Sequence, residues 1–421
     1  MSSFGGFEVV RDPLWNNIGI DAQALTILDT APFQRLRYIR QLGHAFLVYP
    51  GATHTRFEHA LGTYHLARRA LAMLQERDLL AGLPADDPAL IRLAALLHDI
   101  GHYPFSHALE EAGLPSHEAL ARERLAQDDL ERALAATGLA DPAGRIAELI
   151  AGRGTSPLRG LISGALDLDK IEYLTRDARM CGVPYGTVDV DRLLHSLVLV
   201  EYDGAPVIGL HEKGLSALES LLFAKYQMYR NVYWHHAVRS ATAMFKRAVR
   251  EALARGALDE GAIARSTDET LMDALRRLEA PLAERLRQRR LFKRVLDLPA
   301  TELPAGAGTW VADEPALTAE VEDRLAAECG RRPGELLLDF PRKPAMLASD
   351  VPVLTRRGTV APARVGIQRV AEDLHTAARR LRVYAAEPCH LPAEAVLALV
   401  EGEAAQVRAR VREARPLLPT A

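Results

Sequence analysis

The ten residues HDIGHYPFSH, 98–107, crowd three of the chain's fourteen histidines around a single carboxylate. The preceding residues 90–97, LIRLAALL, are apolar at helical spacing. They predict a buried helix whose C-terminal end carries His98 and Asp99 into the interior. Asp86, Asp87 and Pro88 supply a cap and a first-turn proline for that helix, and Gly101 supplies its stop. Imidazoles gathered at a buried helix end are not solvated decoration. A lone His-Asp dipeptide nevertheless arises by chance in 421 residues, so its partners elsewhere must decide what it does.

With 421 residues, 48% hydrophobic composition and a net charge of −3, the chain can bury a full core in one large domain or two. The near-neutral balance gives no global attraction to nucleic acid or an anionic membrane, so a bound polyanion must meet a local cluster of Lys and Arg. Cys181, Cys329 and Cys389 are too few and too scattered for a disulfide framework or a thiolate zinc site, which fits a reducing compartment. The N-terminus MSSFGGFEVVRDP does not read as a signal peptide, and no apolar run approaches about 18 residues. A cytoplasmic protein is the expectation.

From residue 22 to about 254 helical periodicity dominates, with Gly or Pro at the joints. One helix starts near Phe57 and carries His59 and His65; SHEALARERLAQ starts another, capped by Ser116; DKIEYLTRDARM follows Asp169. The exception is LHSLVLVEYDGAPVIGLH, two β-branched runs around Asp203-Gly204, which predicts a hairpin and one small sheet element. Later come short helices (TDETLMDALRRL, LTAEVEDRLAAE), the proline-rich DFPRKPAMLASDVPVL and a strand in LRVYAAE. The expected fold is mainly α: a helical catalytic domain over residues 1–255, its core about 40–246, with a small hairpin, then a small α+β region over 256–421.

A hard divalent cation needs imidazoles and carboxylates converging from a rigid frame, with positions left open for water and substrate. Candidate donors lie in three separated segments: His59 in TRFEHALG, His98 and Asp99, and Asp169 in LDLDKIEY. Taken singly, His59 reads equally as a satisfied helical histidine and Asp169 as a cap for the helix starting at Lys170. Around them stand Arg56, Lys170, Lys225 and Arg230, suited to phosphate oxygens. Helical arginines such as Arg68 and Arg69 read instead as solvated or packed along their stems. His102, His107 and His117 are left over as ligands, and one of them can protonate a departing alkoxide or steady a phosphate. His117 reads equally as an ordinary first-turn residue.

HTRFEH, HDIGHYPFSH and LDLDKIEYLTRD, with DTAPFQRLRYIRQLG upstream, resemble in order and spacing the HD-domain metal-dependent phosphohydrolases, and among them the deoxynucleoside triphosphate triphosphohydrolases. The resemblance is close from about Phe7 to Lys246 and faint afterwards. It implies metal ligands at His59, His98, Asp99 and Asp169, binding Mn, Mg, Fe, Co, Ni or Zn. It implies His107 as general acid at the 5′ oxygen, His102 and His117 near the α-phosphate, and Glu118 orienting a histidine. Arg56, Lys170 and Lys225 would hold the triphosphate. Gln41, Leu42 and Asp177 would meet the sugar, Tyr173 would crowd its 2′ position and Tyr233 would lie near the base. Water would attack the α-phosphorus, releasing deoxynucleoside and triphosphate together.

The same resemblance implies a homo-oligomer, dimer or tetramer, with a GTP or dNTP effector at an inter-subunit site marked by Asp29, Gln34 and Arg37. Their plainer reading is the wet face of an amphipathic helix, FQRLRYIRQL. The chain departs from the family pattern at DPLWNN, where relatives often show a DPIHG-like segment, at Tyr103 in place of a glycine, and at Lys225 where arginine is common. Two other functions stay open: an HD phosphohydrolase acting on a nucleoside monophosphate or alarmone, and a non-catalytic sensor of nucleotide or of single-stranded RNA or DNA. The near-neutral charge weighs against nucleic acid as a partner.

Overall fold

The computed structural model describes residues 8–164, 166–342, 351–360, 373–374, 376–413 and 415–418. The first seven residues, where the family resemblance begins, and 343–350 of the proline-rich stretch lie outside them. Helices predominate, as expected. Two short strands, β1 (Glu8–Asp12) and β2 (Asn16–Ile20), form an antiparallel hairpin at the start. Helix α1 (Arg56–Glu76) is fixed at its start by Thr55, whose amide donates to the Glu58 carboxylate at 2.7 Å. Its buried stripe includes Phe57, His59, Ala60 and Tyr64, so His59 points inward one turn into the helix.

Helix α2 (Asp87–Leu97) packs beside α1 and ends at His98, as the apolar run predicts. Gly101 stops the chain for a reason other than a left-handed cap. A Cβ there would lie 2.1 Å from the His117 carbonyl oxygen, so glycine is needed for the approach of the next helix, α3 (His117–Leu125), which Ser116 caps. Helix α4 (Leu168–Cys181) crosses α1 where a Cβ on Gly62 would fall 1.9 Å from Glu172 Oε1. The cap of α4 is Asp167, accepting from Lys170 N at 2.9 Å; Asp169 lies inside the first turn with its carboxylate free for another use.

The predicted hairpin forms as β3 (Leu197–Tyr202) and β4 (Ala205–His211), with Asp203 and Gly204 at φ of 52° and 77°. It is not isolated: β7 (Val353–Thr355) pairs parallel to β4, and β8 (Gly358–Val360) completes a four-stranded sheet ordered β3-β4-β7-β8. Helices α5 (Leu215–Met228) and α6 (His236–Ala254) follow the hairpin. Beyond them come α7 (Asp268–Arg277), α8 (Pro315–Glu328) and a three-stranded antiparallel sheet. Its order is β5 (Lys293–Pro299), β9 (Arg380–Ala385), β6 (Leu336–Asp339), so LRVYAAE supplies the central strand. Among the described residues three sheets therefore stand where one small element and one strand were expected.

Packing is continuous across residue 255. One hydrophobic cluster joins Tyr103 and Phe105 to Met244 and Phe245 of α6, to Leu271 and Leu275 of α7, and to Leu337 and Tyr384 of the sheet. FQRLRYIRQL is not the one amphipathic helix expected but a single turn, Ala31–Gln34, followed by a 3-10 turn, Arg35–Tyr38. Ile39 turns extended so that Arg40 can bridge to Thr55. Arg35 is no wet-face residue either: its guanidinium donates to the carbonyls of His102 (2.9 Å), Ala264 (2.7 Å) and Ser266 (3.0 Å).

Candidate metal centre and phosphate site

Helices α1, α2 and α4 bring His59, His98, Asp99 and Asp169 together. His59 Nε2 lies 3.0 Å from His98 Nε2 and 2.9 Å from Asp169 Oδ1, while Asp99 Oδ1 and Oδ2 stand 3.4 Å and 3.6 Å from the two imidazoles. The tautomers are fixed from behind. His98 Nδ1 donates to the Ala95 carbonyl at 2.9 Å and His59 Nδ1 to Glu172 Oε2 at 2.6 Å, so both Nε2 lone pairs face one point. Two nitrogen lone pairs and two carboxylates around one point suit a divalent cation. Without one, burial disfavours charge on His59, but the Asp169 and Glu172 hydrogen bonds outweigh it and raise its pKa to about 10.

The support behind His59 extends further than the sequence disclosed. Glu172 also accepts from Arg176 Nε (2.8 Å) and from Trp15 Nε1 (2.9 Å), and Arg176 Nη1 reaches Asp12 at 3.0 Å. The departure DPLWNN is thus the tip of the β1–β2 hairpin, and its Trp15 braces the carboxylate that orients a ligand. Glu172 lies three residues after Asp169 on the same helix, so both face α1. That spacing was the available signal.

A second group gathers alongside. His102 and His117 stack at 4.0 Å between ring centroids, and His107 meets them edge-on at 4.7 Å and 5.3 Å. His102 is buried, 3.2 Å from Asp99 Oδ1; burial, with Arg56 and His117 adding, holds its pKa well below the ordinary value. His107 is open, its side chain 58% exposed. The anchoring carboxylate is Glu110, which the sequence reading passed over: Oε1 accepts from His117 Nδ1 at 2.8 Å and lies 3.4 Å from His107 Nδ1. Glu118 is further off, 3.6 Å from His117 Nε2.

Burial lowers and the Glu110 contact raises the His117 pKa, with a net rise, while the two histidines hold Glu110 well below the usual carboxylate range despite its burial. Glu110 therefore adds stability present above its ordinary pKa of 4.5 and lost as pH falls through the lowered value. The His117 contribution is full below its ordinary 6.5 and is lost as pH rises through the raised value. In Glu110→Gln the anion is gone, so the His117 pKa should fall, with Glu118 and Asp99 still raising it, and the alkaline decline in stability should flatten. Imidazole NMR titration and melting scans across pH read both; an unchanged His117 titration contradicts the pairing.

Of the expected phosphate ligands, Arg56 is buried and engaged: Nη1 contacts Asp99 at 2.7 Å and Nε donates to Ser106 Oγ at 3.1 Å. Lys170 Nζ pairs with Asp167 and donates to the Gly164 carbonyl at 2.6 Å. Lys225 is buried within electrostatic reach of Asp167 and Asp169; burial and Lys170 lower its pKa to about 8. Arg230 is exposed and donates to the Tyr226 hydroxyl at 2.9 Å, so nothing ties it to the metal cluster.

The expected sugar and base residues also assemble. Tyr173 lies 6.5 Å from the His59 ring and 6.4 Å from the Tyr233 ring. A π-helical turn, Tyr229–Tyr233, presents the Tyr233 hydroxyl to Asp177 Oδ2 at 2.6 Å. Asp177 Oδ1 pairs at 2.7 Å with His54, a buried residue missed in the sequence. Gln41 N donates to the His54 carbonyl at 3.0 Å, yet among the described residues the buried Gln41 Oε1 has no hydrogen-bond partner. Leu42 is half-buried against the core. Arg37 Nε donates to Gln34 Oε1 at 2.8 Å and its guanidinium lies 3.5 Å over the Phe57 ring, Gln34 Nε2 donates to the Leu28 carbonyl at 2.7 Å, and Asp29 is exposed.

Comparison with known proteins bears on these residues directly. The HD domain family matches residues 56–176, and the HD associated region matches 188–397. Over 353 residues the chain is 36% identical to uncharacterized protein MJ1154 of Methanocaldococcus jannaschii, covering 83% of this chain and 73% of that one. Uncharacterized protein YwfO of Bacillus subtilis is 35% identical over 58% of this chain and 56% of its own. The deoxynucleoside triphosphate triphosphohydrolase SAMHD1 of Bos taurus is 29% identical over 54% of this chain, which spans 44% of its length. Among solved structures, a hypothetical protein from Aquifex aeolicus superposes with a TM-score of 0.72 at 28% identity, over 90% of this chain and 96% of that one. Among the described residues no helix is long and apolar enough to cross a membrane.

Proposed function

Because the chain belongs to the HD-domain family of metal-dependent phosphohydrolases, we propose that it hydrolyses deoxynucleoside triphosphates to deoxynucleoside and inorganic triphosphate. The observation carrying this reading is Gln41 Oε1, a buried acceptor without a partner, in a segment hydrogen-bonded to the one that holds Asp177. A buried amide oxygen left unpaired is costly unless a ligand donor meets it, and a sugar 3′-hydroxyl is such a donor. Asp177 reads the same hydroxyl, Leu42 packs beneath the ring, Tyr173 crowds the 2′ position and Tyr233 stands by the base. SAMHD1 relatives, deoxynucleoside triphosphate triphosphohydrolases by name, support the substrate class.

His59, His98, Asp99 and Asp169 would hold the cation, which when bound supplies Lewis acidity that polarises a phosphoryl oxygen and makes water nucleophilic at neutral pH. Lys170 and Lys225 offset the charge of the triphosphate tail, and Arg56 fixes Asp99 at its edge. Water adds to the α-phosphorus, the bond from it to the 5′ oxygen breaks, and His107 delivers a proton to that oxygen while His102 and His117 line the α-phosphate. In this reading the protein is a cytoplasmic homo-oligomer, residues 256–421 contribute to assembly and regulation, and Asp29, Gln34 and Arg37 belong to a guanine-nucleotide effector site. Each dNTP should yield triphosphate and deoxynucleoside one for one with Mn or Mg, with or without GTP, resolved by ion-exchange chromatography. Diphosphate or orthophosphate as product, or no turnover with GTP present, refutes the reading; faster cleavage of a nucleoside monophosphate or alarmone replaces the substrate.

A further inference from the structure

We propose that Asp268, on α7 in the C-terminal part of the chain, is a positioning residue that holds the histidine loop 102–107 in its working shape. Phe105 and Ser106 are consecutive non-glycine residues in the left-handed region, at φ of 56° and 59°. Such a pair persists only where the surroundings impose it. Asp268 imposes it directly: Oδ1 accepts from Phe105 N at 2.7 Å, and Oδ2 accepts from Arg40 N at 3.0 Å and faces Arg40 Nη1 at 3.3 Å. The carboxylate is buried, and its partners are the backbone between His102 and His107 and the backbone next to Gln41. A buried charge so placed is retained for what it binds, since packing alone favours an apolar side chain.

The neighbours act in the same sense. Arg35 ties the His102 carbonyl to those of Ala264 and Ser266, so residues 264–268 grip both sides of Tyr103 and Pro104. Ser106 Oγ lies 2.8 Å and 2.9 Å from the carbonyls of Arg40 and Gln41. From the opposite wall His44 stacks on Phe105 at 4.3 Å, and a Cβ on Gly43 would come within 2.9 Å of the Phe105 carbonyl oxygen. The C-terminal part thereby reaches the chemistry without contributing a group that touches substrate. The inference rests on the role of His107 in the function proposed above.

The test compares Asp268→Ala and Asp268→Asn in the full-length, metal-loaded protein. Alanine should lower kcat about 30–100-fold with KM within about threefold, the cost of a misplacement near 1 Å. Bound metal per chain should be unchanged, and amide exchange should quicken across residues 100–110 and at Arg40, whose amide also donates to Asp268. Asparagine keeps an acceptor for Phe105 N and should recover kcat to within about tenfold of wild type. A folded alanine variant with kcat within about threefold of wild type, or with unchanged exchange in that segment, overturns the proposal. Should alanine fail to fold, Arg35→Ala removes the second anchor and must show the same kcat loss at full metal content, or the proposal falls. If the wild type turns over no dNTP, the substrate reading fails by itself, and amide exchange still decides whether Asp268 holds the loop.

Discussion

Asp169→Ala is expected to yield a folded chain that binds no divalent ion and turns over below about one-thousandth of the wild-type rate. Charge accounting explains the size of the effect. Asp99 lies 2.7 Å from the Arg56 guanidinium, so much of its charge is already offset, and Asp167 is paired with Lys170. Asp169 instead turns its carboxylate to the point where His59 and His98 converge, 2.9 Å and 3.5 Å from their Nε2 atoms, with Lys225 within electrostatic reach. Without it a dication would meet two neutral imidazoles and one compensated carboxylate. Asp169→Asn, which keeps volume and loses charge, should fail in the same way. Metal analysis of the purified protein gives the direct readout. Melting gives a second: a cation at 100 times its Kd stabilises the wild type by about 2.7 kcal/mol, which chelation should remove and which the variant should never show. Full metal content and normal turnover in Asp169→Ala would refute the ligand set.

The legible part of the site is the part written locally. His98 and Asp99 end an apolar helix, His59 sits one turn into the next predicted one, and Asp169 opens a third. Donor type and helical phase can be read from each segment alone. Glu172, Glu110, Asp167 and His54 were not legible, because a carboxylate or imidazole in an ordinary helix or loop becomes an orienting group only where two elements cross. Glu172 reaches His59 because Gly62 leaves space between α1 and α4, and no single segment announces that crossing. Arg35 and Asp268 failed to stand out for the same reason, their partners lying about 230 residues away in sequence. The β1–β2 hairpin did carry a signal, since EVV and IGI flank a proline- and asparagine-rich turn. Strand β7 carried almost none: it is three residues long and exists by pairing with β4. The loop angles at Phe105 and Ser106 are likewise tertiary, for neither residue favours that region by itself.

His107→Ala should leave metal content intact and lower kcat on a nucleotide at least 10²-fold, equivalent to about 2.7 kcal/mol in the barrier. Of the three clustered imidazoles only His107 combines exposure with a tether. His102 is buried and held neutral, which leaves it little proton to give, and His117 is committed to Glu110. His107 stands open at the edge of both rings, with Nδ1 turned toward Glu110 and Nε2 left for a leaving oxygen. A proton donor matters in proportion to the basicity of the group that departs. A 5′-alkoxide leaves poorly without a proton, whereas p-nitrophenolate leaves readily as the anion. If His107 is the acid, His107→Ala should therefore be nearly normal, within about threefold, on a p-nitrophenyl phosphodiester that the wild type also cleaves, and badly impaired on the nucleotide. Asp169→Ala, which removes the cation, should lose both substrates alike. Equal loss on both by His107→Ala would mean that His107 binds phosphate instead of moving a proton, and the search for the acid would pass to His117.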